Sequence, residues 1–135
     1  EPLFRSIEFD KHIIKWDYQK SINDYIDCLF MSDIIPVTSN HDFFGISVME
    51  AVFCNVWPLL PDRLSYKELF KNKGYIENIY TNDNQLIRKI EAAIKNIHQI
   101  RNQSLKKVAQ KYDWKRLARV YDSKFEKITL QNNLR

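Results

Sequence analysis

The sequence predicts an α/β domain, a mainly parallel sheet covered by helices, and three observations carry that reading. Short β-branched runs alternate with stretches of helical apolar spacing: Ile34 to Thr38, Ile46 to Cys54, Val56 to Leu60 and, further on, Ile76 to Tyr80. The 135 residues are 44% hydrophobic and 28% charged, room for one domain with one core and enough charge to solvate its outside. The back third is almost wholly helical in its spacing, so extra helices follow the alternating part.

Element by element, Leu3 to Ile7 reads as an extended opening and His12 to Trp16, β-branched and aromatic, as a short strand. Ser21 to Asp24 offers a capping-box-like start. Behind it Ile22, Tyr25, Ile26, Leu29 and Phe30 recur at helical spacing up to Asp33. Ile34 to Thr38 reads as a strand whose Pro36 lacks a ladder donor and therefore belongs at an edge or a bulge. Ser39 to Gly45 is a loop, Ile46 to Cys54 a helix, and Asn55 its left-handed stop in place of glycine. Val56 to Leu60 is a strand, Ser65 to Phe70 a helical turn, and Ile76 to Tyr80 the last strand. Leu86 to Ile97 and Leu105 to Tyr112 each place apolar residues on one helical face. A final helix after Asp113 carries the stripe Trp114, Leu117, Ala118, Tyr121, Phe125 and Ile128, expected to be core, with fraying from Thr129.

Several function classes fall away. No apolar run approaches the ~20 residues that cross a bilayer, and no basic-then-apolar stretch resembles a signal peptide, so a soluble, cytoplasmic protein is expected. Cys28 and Cys54 have neither metal-ligand spacing nor the pattern of a disulfide scaffold, and each is expected to be a buried thiol. His12, His41 and His98 are scattered, so no structural metal is expected. Charge is lopsided: residues 1–87 carry 8 basic and 13 acidic side chains, residues 88–135 carry 13 basic and 4 acidic. A basic back half suits a nucleic-acid-facing surface, and equally the solvated faces of basic helices. The chain opens on Glu1 and Pro2 rather than Met, and reads as a piece of something longer.

The chemistry concentrates in one loop. Gly45 and Gly74 are the only glycines, and Gly45 sits between a strand and a helix, where a backbone closely approaches a ligand. Asp42 and Glu50 lie eight positions apart around it. A carboxylate accepts from sugar hydroxyls, while amides at a helix N-terminus hold phosphate oxygens. One segment thus suits both a sugar and its diphosphate, although an Asp and a Glu flanking an apolar turn are more often plain surface residues.

The stretch from Ser32 to Ala51, with His41-Asp42-Phe43-Phe44-Gly45 followed by Glu50-Ala51 and later Pro58-Leu59-Leu60-Pro61, resembles the E-x7-E region of retaining family 4 glycosyltransferases of GT-B fold. It is most similar to the tRNA-queuosine mannosyltransferase branch. Tyr112-Asp113-Trp114 and Val120-Tyr121-Asp122 resemble that branch's final helices, and the likeness runs from about His12 to Ile128. The resemblance implies a Rossmann-like sheet, here the C-terminal, nucleotide-sugar-binding half of a GT-B enzyme with its N-terminal acceptor domain absent and residues 1–135 forming one partial domain.

It also implies roles. Glu50 matches the glutamate that accepts from the donor's ribose. Asp42 matches the acid that faces the donor sugar, one methylene shorter than the family's usual glutamate. Phe43 stands where the general motif often has glycine, as in the queuosine branch; Phe44, Gly45, Ile46 and Ser47 match the turn whose amides contact sugar hydroxyls and diphosphate. Trp16, Asp17 and Tyr18 lie where the family's loop meets the nucleobase, with Asp17 replacing the usual glycine. The Arg/Lys pair that supports the diphosphate has no equivalent at the matching place. The implied donor is GDP-mannose and the implied acceptor queuosine in tRNA, with no cofactor, and this chain alone is expected to be inactive. A transferase acting on lipid or polysaccharide, and a non-catalytic RNA-binding α/β module, are the alternatives.

Overall fold

A computed structural model describes residues 11–15, 18–70 and 74–132. Helix α1 (Ile22–Met31) starts at Ser21, whose hydroxyl accepts from the Asp24 amide at 3.1 Å, as its capping sequence requires. Strand β1 (Ile34–Pro36) follows, then α2 (Ile46–Phe53), β2 (Trp57–Pro61), the short α3 (Tyr66–Leu69), a 3-10 turn (Ile76–Asn78) and β3 (Ile79–Tyr80). Four helices complete the described chain: α4 (Asp83–Lys95), α5 (Ile97–Asn102), α6 (Lys106–Gln110) and α7 (Trp114–Asn132).

The three strands form a parallel sheet in the order β1-β2-β3, the α/β class that the alternating pattern predicts. Ile34 pairs with Trp57 and Pro36 with Leu59. The Val37 amide donates to the Leu59 carbonyl at 2.9 Å, so Pro36, one residue earlier, turns its nitrogen to the open edge of the described sheet. The expected edge position of that proline is where the structure has it. Helix α2 buries Val48, Met49, Ala51 and Val52 against β2 and α6, and Asn55 (φ 67°) reverses the chain after it. The core gathers around fully buried Leu60, Tyr66 and Phe70 with Val52 and Leu59.

Four expectations are corrected. Residues 11–15 form a turn and a bend rather than a strand, and Trp16 lies outside the described residues, as does the opening from Leu3 to Ile7. The last strand is only Ile79–Tyr80. Pro58 in β2 has no N–H to offer, its carbonyl accepts instead from the Asn78 side-chain amide at 2.8 Å, and ladder pairing begins at Leu60 with Ile79. Helix α7 runs to Asn132, and its stripe is not core: Trp114 is 68% exposed and Phe125 61%. Periodicity reports that a face is apolar and cannot report what covers it. The two cysteines are half-buried rather than buried.

Candidate functional site

The loop from Val37 to Gly45 is held by Tyr80, at the end of β3, and by Arg63 and Tyr66, which follow β2. Tyr80 donates its hydroxyl to the Val37 carbonyl at 2.6 Å. Arg63 donates from its guanidinium to the carbonyls of Thr38 (3.0 Å) and Ser39 (3.1 Å). Fully buried Tyr66 donates to Asp42 Oδ2 at 2.7 Å, while Asp42 Oδ1 accepts from the Gly45 amide at 2.6 Å. Asp42 thereby closes the turn that begins α2. A carboxylate has about four lone-pair positions, so with two engaged its oxygens can still accept from a ligand.

Gly45 has φ +80°, the left-handed region that favours glycine. A Cβ there would stand 2.9 Å from Tyr66 Cε1. The glycine therefore has a reason inside the protein, the tyrosine ring against its α-carbon, beside the ligand approach that the sequence suggests. No side chain caps α2, and its first turn carries no acidic residue. The amides of Ile46 and Ser47, both on exposed residues, begin this helix, where the peptide dipoles present their positive end.

Phe43 is fully exposed and Ile46 largely so, whereas Phe44 turns inward and meets Tyr112 edge-on, ring centroids 4.9 Å apart. Glu50 is on the second turn of α2 and lines a mainly apolar cleft of about 820 Å³ between α1 and α2, with Tyr25, Ile26, Met49, Tyr112 and Lys115 among its walls. Its Oε2 accepts from the Tyr25 hydroxyl at 2.8 Å. Burial, then the Glu50 carboxylate, pushes the Tyr25 phenol up to about 12, so it stays a donor across the physiological range. Burial and Asp42 likewise hold the Tyr66 phenol well above the ordinary tyrosine value. Burial raises the pKa of the Cys54 thiol just past α2.

A second, polar cleft of about 250 Å³ lies at the carboxyl ends of the strands, between Thr38, Asn40, Arg63, Tyr80 and Asn82. Tyr18 is almost wholly exposed and lines a shallow depression that shares Ile22 and Tyr25 with the Glu50 cleft; Trp16 and Asp17 fall outside the described residues. The structure thus brings Phe44, Ile46 and Glu50 to one cleft, puts Asp42 and Gly45 in the turn at its end, and leaves Ser47 exposed on the same helix. Sequence reasoning passed over Tyr25, Arg63 and Tyr66 as donors. The signal available for the tyrosines was chemical: a hydroxyl on an inward-facing ring has to find a partner. Among the described residues no three His, Cys, Asp or Glu side chains are grouped to hold a metal ion, and no helix is long and apolar enough to cross a membrane.

The family model of the glycosyl transferases group 1 matches residues 9–112. The tRNA-queuosine alpha-mannosyltransferase of Drosophila melanogaster is 36% identical over 67 residues, which is 50% of this chain and 17% of that protein. No solved structure matches. A parallel sheet with covering helices, an acid-flanked turn opening a helix and a family match over most of the chain agree with one another: this chain belongs to the glycosyl transferases group 1 family, as a donor-binding module of GT-B type.

Proposed function

We propose that this chain is the donor-binding part of a retaining transferase that moves mannose from GDP-mannose to queuosine in tRNA. The observation that carries the reading is the uncapped start of α2 at Gly45, flanked by Asp42 in the turn and Glu50 one turn into the helix. In this reading the amides of Ile46 and Ser47 receive the diphosphate, whose charge grows as the glycosidic bond breaks, and the dipole end of α2 stabilises that leaving group. Glu50 accepts from the ribose hydroxyls, and Asp42 from a hydroxyl of the hexose. Phe43, Phe44 and Ile46 form the surface along which the donor lies, and Trp16, Asp17 and Tyr18 meet the nucleobase. The identity of donor and acceptor rests on the likeness to the fly enzyme; Tyr18 lines a depression next to the Glu50 cleft, with Ile22 and Tyr25 common to both.

The acceptor surface belongs to a further domain, so the chain alone binds donor and transfers nothing. The test is titration calorimetry and thermal denaturation of the chain with GDP-mannose, UDP-glucose and ADP-glucose. A ligand present at ~100 times its dissociation constant stabilises by about 2.7 kcal/mol. Stabilisation by GDP-mannose and not by the other two is the expected result; no shift with any of them refutes the reading.

A further inference from the structure

Both acidic side chains of the turn-and-helix segment are held by a tyrosine hydroxyl from a different part of the chain. Tyr25, on α1, reaches Glu50 on α2 across the cleft at 2.8 Å. Tyr66, the first residue of α3, reaches Asp42 at 2.7 Å. The partners are 25 and 24 positions apart in sequence, so neither pair follows from local turn chemistry. Glu50 is an exposed side chain on a helix surface, free to adopt several rotamers unless something selects one. Tyr25 selects one by occupying Oε2 and leaves Oε1 for another donor. Asp42 is set by Tyr66 on one oxygen and the Gly45 amide on the other, which aligns the carboxylate with the turn whose amides open α2.

We propose that Tyr25 and Tyr66 are positioning residues, Tyr25 for Glu50 and Tyr66 for Asp42, that preorganise the two carboxylates for a nucleoside diphosphate sugar. The inference rests on the donor-binding reading above and adds to it a division of labour. Tyr25 acts through the acid assigned to the ribose and so affects the nucleotide with or without its sugar. Tyr66 acts through the acid assigned to the hexose and so affects only the sugar nucleotide. Both phenols stay protonated far above neutral pH, so the two donors are present at every physiological pH. Holding an acceptor in its bound geometry before the ligand arrives removes an ordering cost from binding.

The experiment titrates GDP and GDP-mannose into the wild-type chain, Tyr25→Phe, Tyr66→Phe, Glu50→Ala and the Tyr25→Phe/Glu50→Ala double variant, with thermal denaturation of each. Tyr25→Phe is expected to weaken both ligands alike, by about three- to tenfold, the scale of one hydrogen bond. On the Glu50→Ala background, which has no acceptor at that position, the same substitution is expected to add nothing, because its effect passes through Glu50. Tyr66→Phe, which keeps the ring beside Gly45, is expected to weaken GDP-mannose by a similar factor and leave GDP unchanged. Unchanged affinities in Tyr25→Phe, or a loss that persists on the Glu50→Ala background, overturn the proposal for Tyr25. Equal losses for GDP and GDP-mannose in Tyr66→Phe overturn it for Tyr66, as the mark of a merely structural role. If Tyr66→Phe does not fold, its hydroxyl is a folding requirement and the proposal is overturned for Tyr66, while the Tyr25 arm is read by itself. Wild-type chain that binds neither ligand overturns the donor reading itself, which separates that failure from failure of the tyrosines.

Discussion

At Gly45 one residue serves two needs, and they differ in what a substitution would do. The left-handed backbone and the Tyr66 ring 2.9 Å from the position of a Cβ both act on the folded protein before any ligand is present. Gly45→Val is therefore expected to lower stability by about 1–3 kcal/mol, the scale of a strained non-glycine residue, as well as to weaken donor binding. A urea titration that gives the variant the wild-type midpoint would contradict the geometry. Asn78 is the comparable case in the core. It is fully buried, and its amide nitrogen satisfies the Pro58 carbonyl at a place where β2 has no N–H for a ladder partner. Asn78→Ala leaves that carbonyl buried and unpaired and is expected to cost about 1–3 kcal/mol, read from the same titration.

Between elements, a charged contact adds to the apolar packing that joins the C-terminal helices to the sheet. Arg101 on α5 donates from Nε and from a terminal nitrogen to the two oxygens of Asp33, both at 2.7 Å, just before β1. The fork geometry suits a carboxylate and fixes α5 against the strand that leads into the Asp42 loop. The Arg101 guanidinium holds the Asp33 carboxyl below its ordinary value. A carboxyl whose folded value is depressed contributes stability above its unfolded value, and that contribution disappears as pH falls through the folded value. Asp33→Asn is expected to lower the denaturation midpoint at neutral pH, with the gap to wild type closing only as pH falls beneath the unfolded aspartate value of ~3.9 and on through the depressed folded value. A gap of constant size from pH 7 to pH 2 would show that the pair is not the cause.

For the molecule as a whole, the distribution of charge matters more than its sum. Lys115 lines the cleft that holds Glu50, and Arg116 and Arg119 follow on exposed positions of α7. Lys107 and Lys111 are exposed on and just past α6, which packs on α2. In the tRNA reading these cations hold a polyanion beside the donor. Reversing Lys107, Lys111 and Arg119 together is expected to weaken tRNA binding and to lower the slope of log affinity against log salt by up to about three units, roughly one per phosphate contact. Filter binding at two salt concentrations checks it; an unaltered slope would leave the three as solubilising surface.

What was legible in the amino-acid order is what depends on neighbours in the chain. The Ser21 cap, the reversal at Asn55, the helix that opens at Gly45 and the edge position of Pro36 all follow from hydrogen-bonding and steric rules that act over a few residues. Glu50 was placed on a helix beside a turn for the same reason. The packed chain alone decided that Glu50 meets Tyr25, that Asp42 is shared between Gly45 and Tyr66, and that the ring of Tyr66 stands where a side chain at position 45 would go. It also decided that the aromatic face of α7 stays exposed and that the last strand is cut short by Pro58. These outcomes join residues 20 or more positions apart or turn on what covers a surface, and apolar spacing carries no record of either.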